Sequence, residues 1–357
     1  MPNIIQTLKG IILNVAQTIK KNPTILIKIA PILSFIIPFL ILYSLYPASY
    51  EATWKGRTYY LFFLWLVLLE FILIWKKIEV KIHKTKSARF IMLIILLLMP
   101  TVYVIVANFS GLSMAIVDIS PKHYFPNPQI DPYYWANLMP LSVEYLVFTM
   151  LFALIILAVY GIKGLKDFSL PLCLIGVIGL IYVIDNLCPY GYFTPFQILV
   201  PTTTNLAANV LNIMGYNTSI TYGNSIYGPT PLLKVWDPNN LRRNASSYIA
   251  WPCSGIDSLV IYSAVILLFL KNTSISWRQR IAYFTIGAVV TYFINILRIV
   301  TIFILGMDYG MRSLQVEQFH NYYGALYSIT WITTYPLIII GTQALWRKSR
   351  SNVNFLS

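Results

Sequence analysis

Acidic residues, histidines and cysteines are scarce in this sequence. Its 357 residues include 12 Asp and Glu, 3 His and 3 Cys. The histidines are scattered and no cluster of carboxylates accompanies them, so the sequence predicts no metal centre. It also lacks the glycine patterns of Walker and Rossmann nucleotide sites, and no cofactor is predicted. A function that depends on a bound metal or nucleotide is therefore disfavoured.

Charge of either sign is also sparse, because charged residues make up 11% of the chain and hydrophobic residues 57%. Such a composition is typical of a membrane protein rather than a soluble domain. A membrane-spanning helix needs roughly 20 mainly apolar residues. The fold class predicted is an all-α polytopic membrane protein with about eight transmembrane helices. The predicted spans are residues 24–46, 58–75, 88–109, 141–160, 169–187, 255–270, 281–305 and 321–345.

The basic residues indicate on which side of the membrane each connection lies. Most of the 26 Lys and Arg fall in segments that are cytoplasmic if the N-terminus is cytoplasmic, as the positive-inside rule requires. This predicts that both termini are cytoplasmic, with an interfacial helix at residues 1–23 and a basic tail at 346–357. Attraction to anionic inner-leaflet lipids explains the net charge of +14, and no nucleic-acid partner is predicted.

Two connections that this topology places outside the cell are too long for simple turns. The first covers residues 110–140 and belongs to an N-terminal five-span region, 24–187. The second, residues 188–252, predicts a small external subdomain of short strands and turns between the fifth and sixth spans. Within it, residues 194–215 predict an amphipathic or re-entrant helix. The last three spans form a core at residues 253–345, in which the candidate catalytic residues lie.

A cysteine stands where the second external segment meets the sixth span, in WPCSGIDSLV at residues 251–260. Ser254 followed by Asp257 has the spacing of a capping box, which predicts that Ser254 is the N-cap of the sixth span. Cys253 would then lie at the helix N-terminus, where the helix dipole favours a thiolate. The alternatives are an inert cysteine and a disulfide with Cys188.

The seventh span carries an arginine, and a charged residue within a span is costly and commonly functional. In TYFINILRIVTIF, residues 291–303, Asn295 and Arg298 lie three apart and share a helix face. Arg298 is expected near the outer boundary of the hydrocarbon core, where Asp185 is a candidate partner. The alternatives are that Arg298 only anchors the end of the helix and that Asn295 serves only in packing between helices.

A histidine opens the last span in QFHNYYGALYSITW, residues 318–331. The predicted topology therefore places Cys253, Arg298 and His320, from three successive spans, at one leaflet. A thiol nucleophile, an imidazole base and a fixed cation are the components of thiol acyl transfer, so these three are the candidate catalytic residues. The predicted supporting or substrate-binding residues are Ser254, Asn295 and Asp257.

PCSG before a span, Asn295-Ile-Leu-Arg298 in the next span and a histidine opening the last one resemble the exosortase/archaeosortase family of membrane transpeptidases. The resemblance covers about residues 190–345 and points to the archaeal branch. It implies a protein-sorting enzyme whose partners are surface-protein precursors with a C-terminal motif, a membrane helix and a basic tail. Such an enzyme passes the new carboxyl end to an acceptor such as a lipid. In that family the third catalytic position is His or Arg, which makes Arg312 the alternative to His320.

The implied reaction takes place at the outer face of the membrane. His320 removes the proton from Cys253, and the thiolate attacks the scissile carbonyl to form a thioester. Arg298 either stabilises the oxyanion, together with amides at the start of the sixth span, or holds the thiolate.

Two other functional classes are open at the level of sequence. A polytopic lipid-linked glycosyltransferase would need acidic residues at the outer face, for which Asp118, Asp131 and Asp237 are available. A transporter or scaffold would use ionisable residues near the middle of the membrane, and Glu70 and Glu144 are the candidates.

Overall fold

The structure is a computed structural model. It describes residues 23–52, 55–76, 78, 80, 88–123, 131–189, 193–225, 228–271, 273 and 275–353. The chain divides into two compact units, of which the first is assigned residues 1–121 and 136–183 and the second residues 122–135 and 184–357. The predicted interfacial helix lies outside the described residues, apart from Pro23, and so does the end of the basic tail at residues 354–357.

The helices in the first half of the chain follow the predicted spans closely. They are α1 (Pro23–Leu45), α2 (Thr58–Ile74), α3 (Ala88–Phe109), the short α4 (Leu112–Ile119), α5 (Tyr134–Asp167) and α6 (Ser169–Leu187). The predicted span at residues 141–160 lies inside α5, which is longer than predicted at both ends. Each apolar run of the sequence in this region therefore forms a helix, as predicted.

Aromatic rings fill the interior of the first unit. Phe35 of α1 lies edge-on to Phe63 of α2 and Phe148 of α5, with ring centroids 5.5 and 5.7 Å apart. On the outer faces, Leu40 and Ile72 are 61% exposed. Buried aromatic rings and exposed aliphatic side chains are the arrangement expected when lipid surrounds the helices.

A buried ion pair also belongs to the first unit. The Arg57 guanidinium, just before α2, donates two hydrogen bonds to the Glu144 carboxylate of α5, from Nε to Oε1 at 2.8 Å and from Nη2 to Oε2 at 2.9 Å. The Tyr60 hydroxyl donates a third bond to Glu144 Oε1 at 2.9 Å. Glu144, one of the two candidates for a transport residue, is thus held in a bidentate pair.

The second unit combines the last three predicted spans with a small sheet. Its helices are α7 (Thr194–Gln197), α8 (Leu199–Ile213), α9 (Ile256–Lys271), α10 (Trp277–Tyr309), α11 (Leu314–Gln318) and α12 (Gly324–Val353). The strands are β1 (Asn217–Ser225), β2 (Gly228–Asp237) and β3 (Asn240–Tyr248). The chain is mostly helical, as predicted, and the sheet lies in the segment for which short strands were predicted.

The three strands form an antiparallel meander with β2 in the centre. Its inner face packs on α8 and α10 through a shared apolar core. The buried members of this core are Ala207, Ala208, Leu211, Leu233, Val235, Ala245, Ile249, Ile296, Ile299, Val300, Phe303 and Met307. The 15 residues of α8 measure about 22 Å, too short for a full crossing of the hydrocarbon core. The helix predicted within residues 194–215 therefore forms and packs beneath the sheet.

Among the described residues, five helices are long and apolar enough to cross a membrane. They are Ile25–Leu45, Phe90–Phe109, Tyr134–Asp167, Ser169–Leu187 and Trp277–Tyr309. Two shorter apolar helices, Thr58–Ile74 and Ser258–Lys271, accompany them. The predicted number of eight spans stays a prediction.

An arginine joins the sheet to the end of α10. Arg243 of β3 donates from Nε to Asp308 Oδ1 at 2.6 Å and from Nη1 to Asp237 Oδ2 at 3.2 Å. Its guanidinium also lies 5.6 Å from the centre of the Tyr216 ring. This contact links the hairpin end of the sheet to the helix that carries Arg298.

The attachment of the sheet should weaken in acid. A hydrogen bond from the Asn239 amide, together with Arg243, lowers the pKa of Asp237 below its usual value of 3.8. A depressed pKa stabilises the folded state while the carboxylate is ionised, and this contribution is lost as the pH falls through the depressed pKa. After correction for the intrinsic pH dependence of exchange, we expect the protection of the β3 amides from hydrogen exchange to fall below about pH 4, with a smaller fall in Asp237→Asn. Identical pH profiles for the two proteins would contradict this role.

Candidate active site

Cys253 lies in a tight turn between the sheet and α9. The turn is a single 3₁₀ segment, Trp251–Ser254, which follows β3 after two residues. The Cys253 amide donates to the Ala250 carbonyl at 2.9 Å, and Ser254 Oγ donates to the Trp251 carbonyl at 2.6 Å. Cys253 itself is half-buried and packs against the core beneath the sheet.

The prediction that Ser254 is the N-cap of the sixth span is wrong by one residue. Helix α9 begins at Ile256, and Gly255 precedes it with a φ of 93°. This left-handed conformation suits glycine, because it costs other L-residues about 1–2 kcal/mol. The glycine therefore ends the 3₁₀ turn and starts the helix, and the Ser254 hydroxyl caps the turn instead. Asp257 lies in the first turn of α9, and its side chain is outside the part of the chain that the structure describes.

Side chains from three other elements hold this turn in place. Thr203 of α8 donates from Oγ1 to the Ser254 carbonyl at 3.2 Å. The same hydroxyl lies 2.7 Å from the Tyr292 hydroxyl of α10. At the other end of the turn, the Trp251 indole donates to Asp185 Oδ1 at 3.0 Å. Asp185, predicted as a candidate partner of Arg298, thus accepts a hydrogen bond from Trp251.

Neither Thr203 nor Tyr292 was predicted from the sequence. Both contacts join residues far apart in the sequence, so no local pattern reveals them. One signal was available: three consecutive threonines, at residues 202–204, stand in a helix whose buried side packs on the sheet. Buried hydroxyls need hydrogen-bond partners, and both Thr203 and Thr204 are fully buried.

Helix α10 contacts both the cysteine turn and the histidine segment. Asn295, which is 3% exposed, donates from Nδ2 to the Cys253 carbonyl at 3.0 Å. Arg298, one turn further along the same helix, donates from Nη2 to the His320 carbonyl at 2.5 Å. The helix continues to Tyr309, roughly 16 Å beyond Arg298. Arg298 is therefore in the body of the helix, unlike an arginine that anchors a helix end.

His320 belongs to a π-helical turn, Phe319–Tyr323, between α11 and α12. Such turns are rare in proteins as a whole, but where they occur they are often at functional sites. The His320 side chain is exposed, while its backbone is fixed by Arg298. Gly324 leaves room for the Arg298 side chain, because a Cβ at residue 324 would lie 2.7 Å from Arg298 Nε. The predicted start of the last span at residue 321 thus falls within the π-helical turn.

The other candidate residues are placed as follows. Arg312, the alternative to His320, is exposed in the turn between α10 and α11. Neither Cys188 nor Cys253 takes part in a disulfide, so the alternative of a disulfide between them is not formed. Two of the acidic residues proposed for a glycosyltransferase bind backbone amides: Asp131 accepts from Tyr133, and Asp237 accepts from Asn239 as well as from Arg243.

Comparison with protein families shows to which family the chain belongs. The family model for transmembrane exosortase (Exosortase_EpsH) matches residues 53–335, which is more than half of the 357-residue chain. The chain belongs to the transmembrane exosortase family. The match includes Cys253, Asn295, Arg298 and His320 and ends within α12. No curated protein and no solved structure matches the chain.

Membership in this family makes the chain a multi-pass membrane protein of a protein-sorting family. What the structure adds is that the segments carrying Cys253 and His320 both hydrogen-bond to one turn of α10, through Asn295 and Arg298.

A methyl group on Gly255 should disturb the turn that carries Cys253. Gly255→Ala adds a Cβ 3.0 Å from Asn295 Nδ2 and forces alanine into a left-handed conformation. We expect the free energy of unfolding in detergent to fall by about 1–2 kcal/mol. Gly341→Ala in α12 is the matched control, because nothing lies within 4 Å of its Cβ. Equal stabilities for the two variants would contradict the role assigned to Gly255.

Proposed function

We propose that this exosortase is a membrane cysteine transpeptidase that cleaves C-terminal sorting signals through a thioester on Cys253. One observation carries the proposal. A single turn of α10 binds both the Cys253 carbonyl, through Asn295, and the His320 carbonyl, through Arg298. A thiol, an imidazole-bearing segment and a fixed cation are thereby assembled in one unit, as thiol acyl transfer requires.

The first half of the reaction forms the acyl-enzyme. His320 accepts the proton of the Cys253 thiol, and Sγ attacks the carbonyl carbon of the scissile peptide bond. The tetrahedral intermediate collapses when the carbon–nitrogen bond breaks. His320 then gives its proton to the leaving amine, which departs with the C-terminal segment. The product on the enzyme is a thioester between Cys253 and the new carboxyl end of the precursor.

The second half releases the precursor. A nucleophile on an acceptor, such as a lipid, attacks the thioester carbonyl and loses its proton to His320, and the Cys253 thiolate leaves. Water in place of the acceptor gives hydrolysis. Arg298 has two candidate roles, stabilisation of the oxyanion and stabilisation of the thiolate. Removing one oxyanion contact typically slows an enzyme by about 100- to 1000-fold.

The proposed topology has about eight spans, cytoplasmic termini and the active site at the outer face. The distribution of lysine and arginine supports this orientation, and a helix contains or overlaps each predicted span. The sheet then lies on the side from which a surface-protein precursor presents its sorting motif. The archaeal branch of the family stays a prediction from the sequence resemblance.

Tail removal from a candidate precursor tests this function. The chain is expressed in a host together with surface proteins that end in a motif, a membrane helix and a basic tail. Intact mass spectrometry should show loss of the C-terminal segment only when the chain is present. A product heavier than the hydrolysed precursor identifies transfer to an acceptor. A precursor that stays full length for every candidate motif would contradict the proposal.

A further inference from the structure

Strand β3 is an edge of the sheet, and it leads directly into the turn that carries Cys253. It pairs with β2 on one side, and no further strand of the described chain lies on its other side. Only two residues, Ile249 and Ala250, separate its end from the 3₁₀ turn. Cys253 is five positions after Tyr248, a reach of at most about 17 Å.

The ladder determines which backbone groups of β3 point away from the sheet. Ile249 donates its amide to the Pro231 carbonyl at 2.9 Å, which makes this a hydrogen-bonded pair. Hydrogen-bonded and non-hydrogen-bonded pairs alternate along an antiparallel ladder. The register then directs the amides and carbonyls of Tyr248, Ser246 and Asn244 outward. These groups form a row of three positions at which, among the described residues, no further strand pairs.

This edge lacks the features that usually prevent strand pairing. Edge strands are commonly protected by charged side chains, proline or bulges. The segment Asn244–Tyr248 contains no charged residue and no proline, and the register shift lies at the far end, between Trp236 and Asp237. The side chains of Asn244, Ser246 and Tyr248 are exposed, while Ala245 faces the helices. The part of the edge nearest to Cys253 is therefore open.

We propose that β3 binds the extended segment of the substrate next to the scissile bond as a fourth strand. The proposal rests on the proposed function, and it names how the polypeptide is recognised. Main-chain hydrogen bonds to Asn244, Ser246 and Tyr248 supply affinity, and side chains at alternate positions of the substrate supply specificity. The strand direction carries the substrate chain past Tyr248 towards the turn with Cys253. An accepted substrate has no proline at positions whose amide pairs with β3.

Ser246→Pro tests this edge without breaking the sheet. Proline removes the outward amide of residue 246, whereas the ladder bonds of Ala245 and Ser247 to β2 are kept, as is usual for proline on edge strands. Loss of one hydrogen bond and the bulk of the ring should slow tail removal by about tenfold or more. Tyr222→Pro removes an outward amide on the opposite edge, β1, and should act like wild type.

The outcomes separate this proposal from the proposed function. If Cys253→Ala still removes the tail, the proposed function fails. If Cys253→Ala is inactive while Ser246→Pro matches Tyr222→Pro, only the role of β3 is overturned. Ser246→Pro could instead abolish self-association through β3 and leave processing unchanged. That result would assign the edge to a second copy of the chain and also overturn the proposal.

Disulfide cross-linking keeps the proposal testable if Ser246→Pro does not fold. Ser246→Cys in the Cys253→Ala chain is combined with precursors that carry single cysteines before the scissile bond. A paired strand should cross-link at every second position, because alternate side chains share one face. Uniform cross-linking, or none above that of the chain without Ser246→Cys, would overturn it.

Discussion

Replacing Cys253 by alanine should abolish removal of the sorting segment, with a fall in rate of at least about 10⁴-fold. The reason is chemical: Sγ forms the covalent bond to the substrate, and alanine offers no nucleophile. The turn around residue 253 is held through the main-chain groups of Cys253: its carbonyl accepts a hydrogen bond from Asn295 Nδ2, and its amide donates to the Ala250 carbonyl. Both survive the substitution, so the variant should stay folded. Intact mass of the precursor measures the effect.

The two other cysteines provide matched controls. Cys188→Ala removes a half-buried free thiol and Cys173→Ala an exposed one. Neither residue belongs to the turn, and both variants should process the precursor at the wild-type rate. Normal processing by Cys253→Ala, or loss of processing in a control variant, would contradict the assignment of the nucleophile.

The second large effect is expected on stability. Glu144→Gln should lower the free energy of unfolding in detergent by about 3–5 kcal/mol, because removal of one partner leaves a buried charge uncompensated. Arg57 is 9% exposed and Glu144 is 4% exposed. The same carboxylate also accepts the Tyr60 hydroxyl. Thermal or denaturant unfolding of the purified protein measures the change.

Two further variants separate burial from charge pairing. Asp308→Asn weakens the more exposed pair with Arg243 and should cost no more than about 1 kcal/mol. The double variant Arg57→Met with Glu144→Leu removes both buried charges and should recover much of the lost stability. A stability of Glu144→Gln equal to that of Asp308→Asn would show that the buried pair is not the structural element described above.

The helices were predictable because a membrane selects long apolar runs, which the sequence displays directly. The predicted span at residues 88–109 coincides with α3, and the span at 169–187 coincides with α6. The sheet was predictable only as short strands and turns. Its register depends on pairing between strands and on packing against α8 and α10, which no single strand sequence specifies.

The candidate site was predictable in part for a similar reason. A charged residue within a span and a cysteine at a span boundary are local signals, and they identified Arg298 and Cys253. The support of the turn by Thr203 and Asp185 joins distant parts of the chain, so local patterns do not contain it. The N-cap assignment of Ser254 was wrong because Gly255, with its positive φ, takes the position before α9.

The supports of the turn have a functional consequence. The carbonyls of Cys253 and Ser254 both accept hydrogen bonds from buried side chains, Asn295 and Thr203. Two fixed carbonyls restrict the rotation of the peptide planes on either side of Ser254. The main chain at Cys253 is thereby held in place, which in the proposed reaction would lower the entropic cost of attack by the thiol.

The most direct test is chemical capture of the acyl-enzyme. The purified exosortase is mixed with a precursor that it processes, and hydroxylamine is added in place of the natural acceptor. A thioester on Cys253 predicts release of the precursor as its hydroxamate, with acylated enzyme detectable by intact mass before the addition, and neither species with Cys253→Ala. Cleavage without hydroxamate or acylated enzyme, at a rate independent of Cys253, would contradict the account.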